Sequence, residues 1–117
     1  KVKISKYSEA QPKIIDNDIA KGITARVVMG KEDGSDNFCM RIFKLSKDGY
    51  TPRHSHDWEH GIFIFSGKGA IFNKGKWVIV EPGYSVFIPG NEDHQIKNIN
   101  DEPLIFTCTI PSGPPEL

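Results

Sequence analysis

The chain has 117 residues, and its 15 Lys plus Arg balance 15 Asp plus Glu. This length fits one domain around one hydrophobic core, expected over residues 1–117. A formal net charge of zero gives no electrostatic footprint for nucleic acid or an acidic membrane, and no apolar run reaches the ~18 residues of a membrane span.

The opening Lys1-Val2-Lys3-Ile4 lacks the character of a signal peptide. Residues 16–22 (Asp16 to Gly22) are expected to hold a helical turn, and no longer amphipathic helix is visible. Short β-branched and aromatic runs follow: Ala25 to Met29, Phe38 to Leu45, Gly61 to Phe65, Ala70 to Phe72, Trp77 to Val80, Ser85 to Ile88, Gln95 to Ile99 and Leu104 to Ile110. Ser66-Gly67-Lys68-Gly69 reads as a tight corner. Asn73-Lys74-Gly75-Lys76 reads as a hairpin turn with Gly75 at positive φ, and Glu81-Pro82-Gly83-Tyr84 as a second turn. The tail Pro111 to Leu117 carries three prolines and is expected to run over the surface. Regular strands between turns argue for an all-β sandwich or barrel. Cys39 and Cys108, the two cysteines, are too few for a disulfide scaffold. They are expected to be reduced thiols in a cytoplasmic protein.

All four histidines fall in two stretches. His54, His56 and His60 share the run His54-Ser55-His56-Asp57-Trp58-Glu59-His60, and His94 follows the turn Pro89 to Asp93. Imidazole is the commonest ligand of mid-sized divalent metals. Alternate side chains of a strand share a face, so an extended segment sends His54, His56 and His60 one way and Asp57 and Glu59 the other. That parity prefers His60 to Glu59 as third ligand, and His94 supplies the fourth from a neighbouring strand. A carboxylate near the ligands (Glu59, Asp93) could orient an imidazole from outside.

These residues resemble the two motifs of the cupin superfamily. Gly49, His54-Ser55-His56, His60 and Gly67 follow the first, and Gly83, Pro89-Gly90-Asn91, His94 and Asn98 follow the second. Three positions depart from the pattern: the spacer after Gly49 is one residue short, Asn91 replaces a glycine, and His60 stands where the family usually has glutamate. The last looks like the four-histidine subgroup of small single-domain cupins, some of them manganese-binding. The resemblance implies a double-stranded β-helix, or jelly-roll barrel, with motifs over about 49–67 and 83–98. It also implies a metal near the barrel mouth, manganese first, with Fe, Ni, Zn or Cu as alternatives, and a homodimer.

For the pocket wall, strand parity groups Phe106, Cys108 and Ile110 on one face. Arg41 could anchor an acidic group, or lie on the outer face. Trp58 could pack over the site. No other motif competes, and no histidine is left to act as a general base. Catalytic residues are therefore not assigned. The function expected is a Mn- or Fe-dependent oxidoreductase of dioxygenase type acting on a small apolar or acidic molecule. The alternative is a non-catalytic module that binds a sugar or carboxylic acid through the metal. Neither nucleic acid nor membrane is an expected partner.

Overall fold

The computed structural model describes residues 1–117. Nine strands carry the fold: β1 (Lys13–Ile15), β2 (Lys21–Met29), β3 (Phe38–Tyr50), β4 (His60–Ser66), β5 (Gly69–Asn73), β6 (Lys76–Val80), β7 (Ser85–Ile88), β8 (Ile96–Asn98) and β9 (Leu104–Pro111). Single 3-10 turns at Tyr7–Glu9 and Lys31–Asp33 are the only helical pieces, and no helix is long and apolar enough to cross a membrane. The strands form one curled antiparallel sheet in the order β6-β5-β8-β3-β9-β4-β7, with β2 added to β3 and β1 to β2. This is the jelly-roll barrel expected from the motifs.

The long strand β3 organises the barrel, because it bonds to β2, β8 and β9 along its length. Alternation decides what faces inward. Leu104, Phe106, Cys108 and Ile110 of β9 are buried and the residues between them are not. His60, Ile62 and Ile64 of β4 are buried and Gly61, Phe63 and Phe65 are exposed. Phe106 and Leu45 are the largest wholly buried side chains, and Phe106 meets Phe43 edge to face at 5.5 Å.

Several local expectations hold. Lys74 and Gly75 both take positive φ (51° and 81°), as a two-residue hairpin turn between β5 and β6 requires. Asn91, where the motif has glycine, is left-handed at φ 65°. One expectation fails. Residues 16–22 form no helical turn: the Asn17 side chain accepts the N–H groups of Ile19 and Ala20, which closes a hairpin between β1 and β2. The tail runs over the surface as expected, with Pro111, Ser112, Gly113, Pro115 and Leu117 exposed, but it keeps more order than its prolines suggest. Pro111 stays in β9, paired with Phe38, and the following residues fold back so that Pro115 and Leu117 border an open cavity.

Asn98 ends β8 and is buried. Its Nδ2 donates to the carbonyls of Leu45, Ser46 and Glu102 at 2.9–3.1 Å, and its Oδ1 accepts the Asn100 N–H. One amide thus ties three chain segments together. Asn98→Ala strands those carbonyls and should cost about 1–3 kcal/mol. Urea unfolding checks this, and an unchanged midpoint would contradict the assigned role.

Candidate metal centre

The site is built where the two histidine stretches are stitched together. His54 and His94 form an antiparallel bridge, each donating its N–H to the other's carbonyl at 3.1 and 3.0 Å. The Asn91 N–H donates to the His56 carbonyl. Gly90 lies against Asp57, so that a Cβ there would meet the Asp57 carbonyl oxygen at 2.9 Å. The turn 89–93 is therefore clamped onto the first histidine stretch, and only a residue without a side chain fits at position 90.

The first stretch is not a continuous strand. Asp57 and Trp58 form a bend, and β4 starts at His60. The parity expected across residues 54–60 does not describe this backbone, yet the rings gather. Ring centres lie 4.9 Å apart for His54–His56, 4.8 Å for His54–His94 and 4.6 Å for His56–His60. They lie 5.1 Å apart for His56–His94 and 5.0 Å for His60–His94. The donor atoms of His54, His56 and His94 all fall within 4.8 Å of one another. His60 brings its Nε2 to 2.8 Å from His56 Nε2. Glu59, the alternative to His60, is exposed.

Hydrogen bonds set the tautomers. The His56 Nδ1–H donates to the Trp58 carbonyl at 3.2 Å and the His94 Nδ1–H to the Glu92 carbonyl at 2.9 Å. A carbonyl can only accept, so both rings keep a lone pair on Nε2. Backbone carbonyls, not the carboxylates considered from sequence, orient these rings. Asp93 is instead engaged by Arg53 at 2.9 Å. His60 turns its Nδ1 to Cys108 Sγ at 3.0 Å. Without an ion, His60 Nε2–H donates to His56 Nε2 and the thiol donates to Nδ1. As a fourth ligand, His60 would carry its proton on Nδ1 and the sulfur would accept it. A thiol serves in either role, so the donor set fits a divalent ion of borderline softness.

Burial works in the same direction. It is the largest cause holding His54, His56 and His60 below the ordinary imidazole range, and positive charge on His94 adds to it. His60 is pushed down to about 3, with the Arg41 guanidinium adding further. Neutral imidazoles are the form that ligates metal.

This sets a pH dependence for the metal-free protein. In the unfolded chain imidazoles titrate near 6.5, whereas in the fold His54, His56 and His60 stay neutral to lower pH. Between pH 6.5 and about 3 the unfolded chain binds more protons, so the stability is whole above that window and is lost as pH falls through it. Thermal melts of chelator-treated protein should be level above neutrality and drop below pH ~6.5. The drop should be shallower in His60→Gln. A melt temperature level down to pH ~5 would contradict the assignment.

The four histidines line one end of a cavity of about 280 Å³. Trp58 stacks on His56 at 4.0 Å, almost parallel. Phe106, Cys108 and Arg41 complete that wall, so Arg41 faces inward rather than outward. Ile110, grouped with Phe106 and Cys108 from sequence, is buried in the core but does not line this cavity. Cys39 and Cys108 are both buried free thiols. Burial raises the Cys108 thiol above its ordinary range and pushes Cys39 to about 11, helped by the Glu116 carboxylate.

Part of the lining lies outside the two histidine stretches. Ile88 pairs with His60 across β4 and β7, and inward parity along Ser85–Ile88 could have found it. Pro115 and Leu117 carried no signal.

The comparisons agree with this architecture. The cupin domain profile matches residues 41–110, and the chain belongs to the cupin family. It is 31% identical over 94 residues to a glucose-6-phosphate isomerase from Thermococcus onnurineus, covering 70% of this chain and 50% of that one. It is also 31% identical over 71 residues to a 1-methylthio-D-xylulose 5-phosphate methylsulfurylase from Rhodospirillum rubrum, covering 61% and 46%. The chain thus spans about half the length of these curated relatives.

Among solved structures, the polyketide cyclase RemF from Streptomyces resistomycificus superposes with a TM-score of 0.90 at 30% identity, covering 98% of this chain and 83% of that one. A protein described as a predicted oxalate decarboxylase from Thermotoga maritima gives 0.82 at 26% identity, covering 93% and 98%.

Proposed function

We propose that this cupin is a metal-dependent enzyme acting on a small, carbonyl-bearing and mostly apolar molecule, with His54, His56, His60 and His94 as the ligands. The observation that carries the reading is the convergence of four imidazoles on the wall of a mostly apolar cavity open to one side. The all-histidine set favours manganese through the resembled subgroup, with Fe, Ni, Zn or Cu as alternatives. When bound, a divalent ion polarises a carbonyl or enol oxygen.

The chain's own residues supply the rest. The carbonyls of Trp58 and Glu92 hold the Nδ1 protons of His56 and His94 and so aim their Nε2 lone pairs inward. Phe43, Ile62, Ile96 and Phe106 exclude water from the cavity. No histidine is left over as a free base. A substrate that brings its own acidic C–H, such as a 1,3-diketone, suits such a site. The likeness to a polyketide cyclase and to isomerases supports redox-neutral chemistry of this kind.

A second reading keeps the oxidoreductase of dioxygenase type. Imidazole ligands also suit iron and copper, which supports it, whereas the missing carboxylate of the facial-triad oxygenases counts against it. Hydrogen–deuterium exchange into acetylacetone, run beside an oxygen electrode on tag-free, Mn-loaded protein, separates these readings. Catalysed exchange without oxygen uptake, abolished in His94→Ala, is the expected result. Oxygen uptake with a diketone or alkene would replace it with the oxidoreductase. Tight binding of a sugar or acid with neither activity would leave a binding module.

Association and location are part of the same proposal. Phe63, Phe65 and Phe87 are 48%, 61% and 63% exposed and project from the outer face of the neighbouring strands β4 and β7. A second copy covering them supports a homodimer. Light scattering at micromolar concentration should give twice the chain mass, and a monomer would contradict this. The free buried thiols support a reducing, cytoplasmic setting.

A further inference from the structure

Arg41 carries a charge that no ion pair within 4 Å neutralises. It sits on β3 facing inward and is only 7% exposed. Its Nε donates to the Cys108 carbonyl at 3.4 Å, its Nη1 to the Glu116 carbonyl at 3.3 Å and its Nη2 to Cys108 Sγ at 3.0 Å. The guanidinium also lies 4.9 Å from the centre of the Phe43 ring. Every one of these partners is uncharged. The five ion pairs of the protein all involve other residues. The carboxylate of Glu116 accepts the Lys31 N–H and lies against the Cys39 thiol, and it forms no ion pair with Arg41.

We infer that Arg41 is the anchor for the carboxylate of a small apolar acid bound in the cavity, an inference that rests on reading the cavity as a substrate site. A guanidinium has five N–H groups. Three are spent on the carbonyls and the thiol, which leaves one on each terminal nitrogen. Two donors on neighbouring nitrogens form the fork that fits the two oxygens of a carboxylate. Pinning β9 and the tail explains the donors in use, but it does not explain the charge. A neutral side chain of similar volume would avoid dehydrating an uncompensated cation.

The surroundings reinforce the sign. His54, His56 and His60 are held neutral by burial, no histidine contributes negative charge, and a divalent ion would add positive charge. The cavity contains no acidic residue: its lining is Arg41, the histidines, Thr51, Cys108 and apolar side chains. An anion therefore improves the electrostatics of the cavity, while Ile23, Ile62, Ile96 and Phe43 suit an apolar body behind it. Arg41 lies one atom away from the cluster, because Cys108 Sγ touches both its Nη2 and His60 Nδ1. A carboxylate on Arg41 thus holds the rest of the molecule beside the imidazoles. Two free donors suit a carboxylate better than a phosphate, whose three oxygens call for more.

The test uses chelator-treated, tag-free protein, so that no ion contributes, and three probes of one shape: benzoate, benzamide and phenyl phosphate. Calorimetric titration should show benzoate binding at least about tenfold more tightly than benzamide. That preference should shrink to within about twofold in Arg41→Met, with Arg41→Lys between the two. Equal binding of benzoate and benzamide overturns the inference. So does absence of benzoate binding, a tenfold preference for phenyl phosphate, or a preference that survives in Arg41→Met. Should Arg41→Met fail to fold by circular dichroism, the wild-type ratio and Arg41→Lys decide. Diketone exchange by the metal-loaded protein is read separately. Exchange without a benzoate preference sinks the carboxylate alone, and a benzoate preference without exchange sinks the metalloenzyme reading alone.

Discussion

Replacing His94 by alanine should lower the affinity for a divalent ion by more than about 100-fold, beyond the ~10–100-fold that follows loss of a partner lying outside the ligand set. His94 is the strongest choice because its ring lies within 4.8–5.1 Å of the other three. The substitution leaves the scaffold in place, since the bridge to His54 uses only backbone groups. Calorimetric titration with MnCl2 and ZnCl2 on tag-free protein gives the measurement. Glu59→Gln is the matched control. Glu59 occupies the run where cupins often place a carboxylate ligand, yet it is exposed and outside the cluster, so its loss should leave affinity unchanged. Equal effects of the two substitutions would contradict the site as described.

The second large effect falls on the core. Phe106 is wholly buried, packs edge to face on Phe43 and lines the cavity beside the histidines. Truncation to alanine removes the ring and widens a space that already exists, so little collapse can offset the loss. Phe106→Ala should cost about 3–5 kcal/mol, which for a chain of this size lowers the melting temperature by about 10–20 °C. Phe63→Ala, on the outer face of the adjacent strand, should cost less than about 1 kcal/mol in the monomer. Scanning calorimetry distinguishes them, and similar losses at both positions would mean that the inward face of β9 is misassigned.

Much of this architecture can be read from the chain because β-strands declare themselves locally. The alternation along Leu104–Ile110 and the Lys74-Gly75 turn need only near neighbours to be understood. His94 was legible for the same reason, since Pro89-Gly90-Asn91 marks a turn that delivers the next residues to a strand mouth. The route to the first three histidines was less sound. Parity along an extended segment placed them together, whereas the backbone bends at Asp57–Trp58 and the clamp of residues 90 and 91 holds His56.

Arg41 was ambiguous because Cys39, Met40, Ile42 and Phe43 give its strand no polar face to contrast with. The return of Pro115 and Leu117 depends on Arg41 and Lys31 reaching residue 116, contacts more than 70 residues apart in sequence. No local pattern encodes those contacts. The hairpin at Asn17 reads as a helical turn because a side chain that caps a turn and one that caps a helix look alike in sequence.

The central claim is that His54, His56, His60 and His94 share one metal ion. Anomalous diffraction from crystals of tag-free protein soaked in MnCl2, recorded at the manganese edge, tests it most directly. The account predicts one peak per chain, bonded by the inward ring nitrogens of all four histidines. The absence of a peak, or one lying away from these rings or ligated by Glu59 in place of His60, would contradict it.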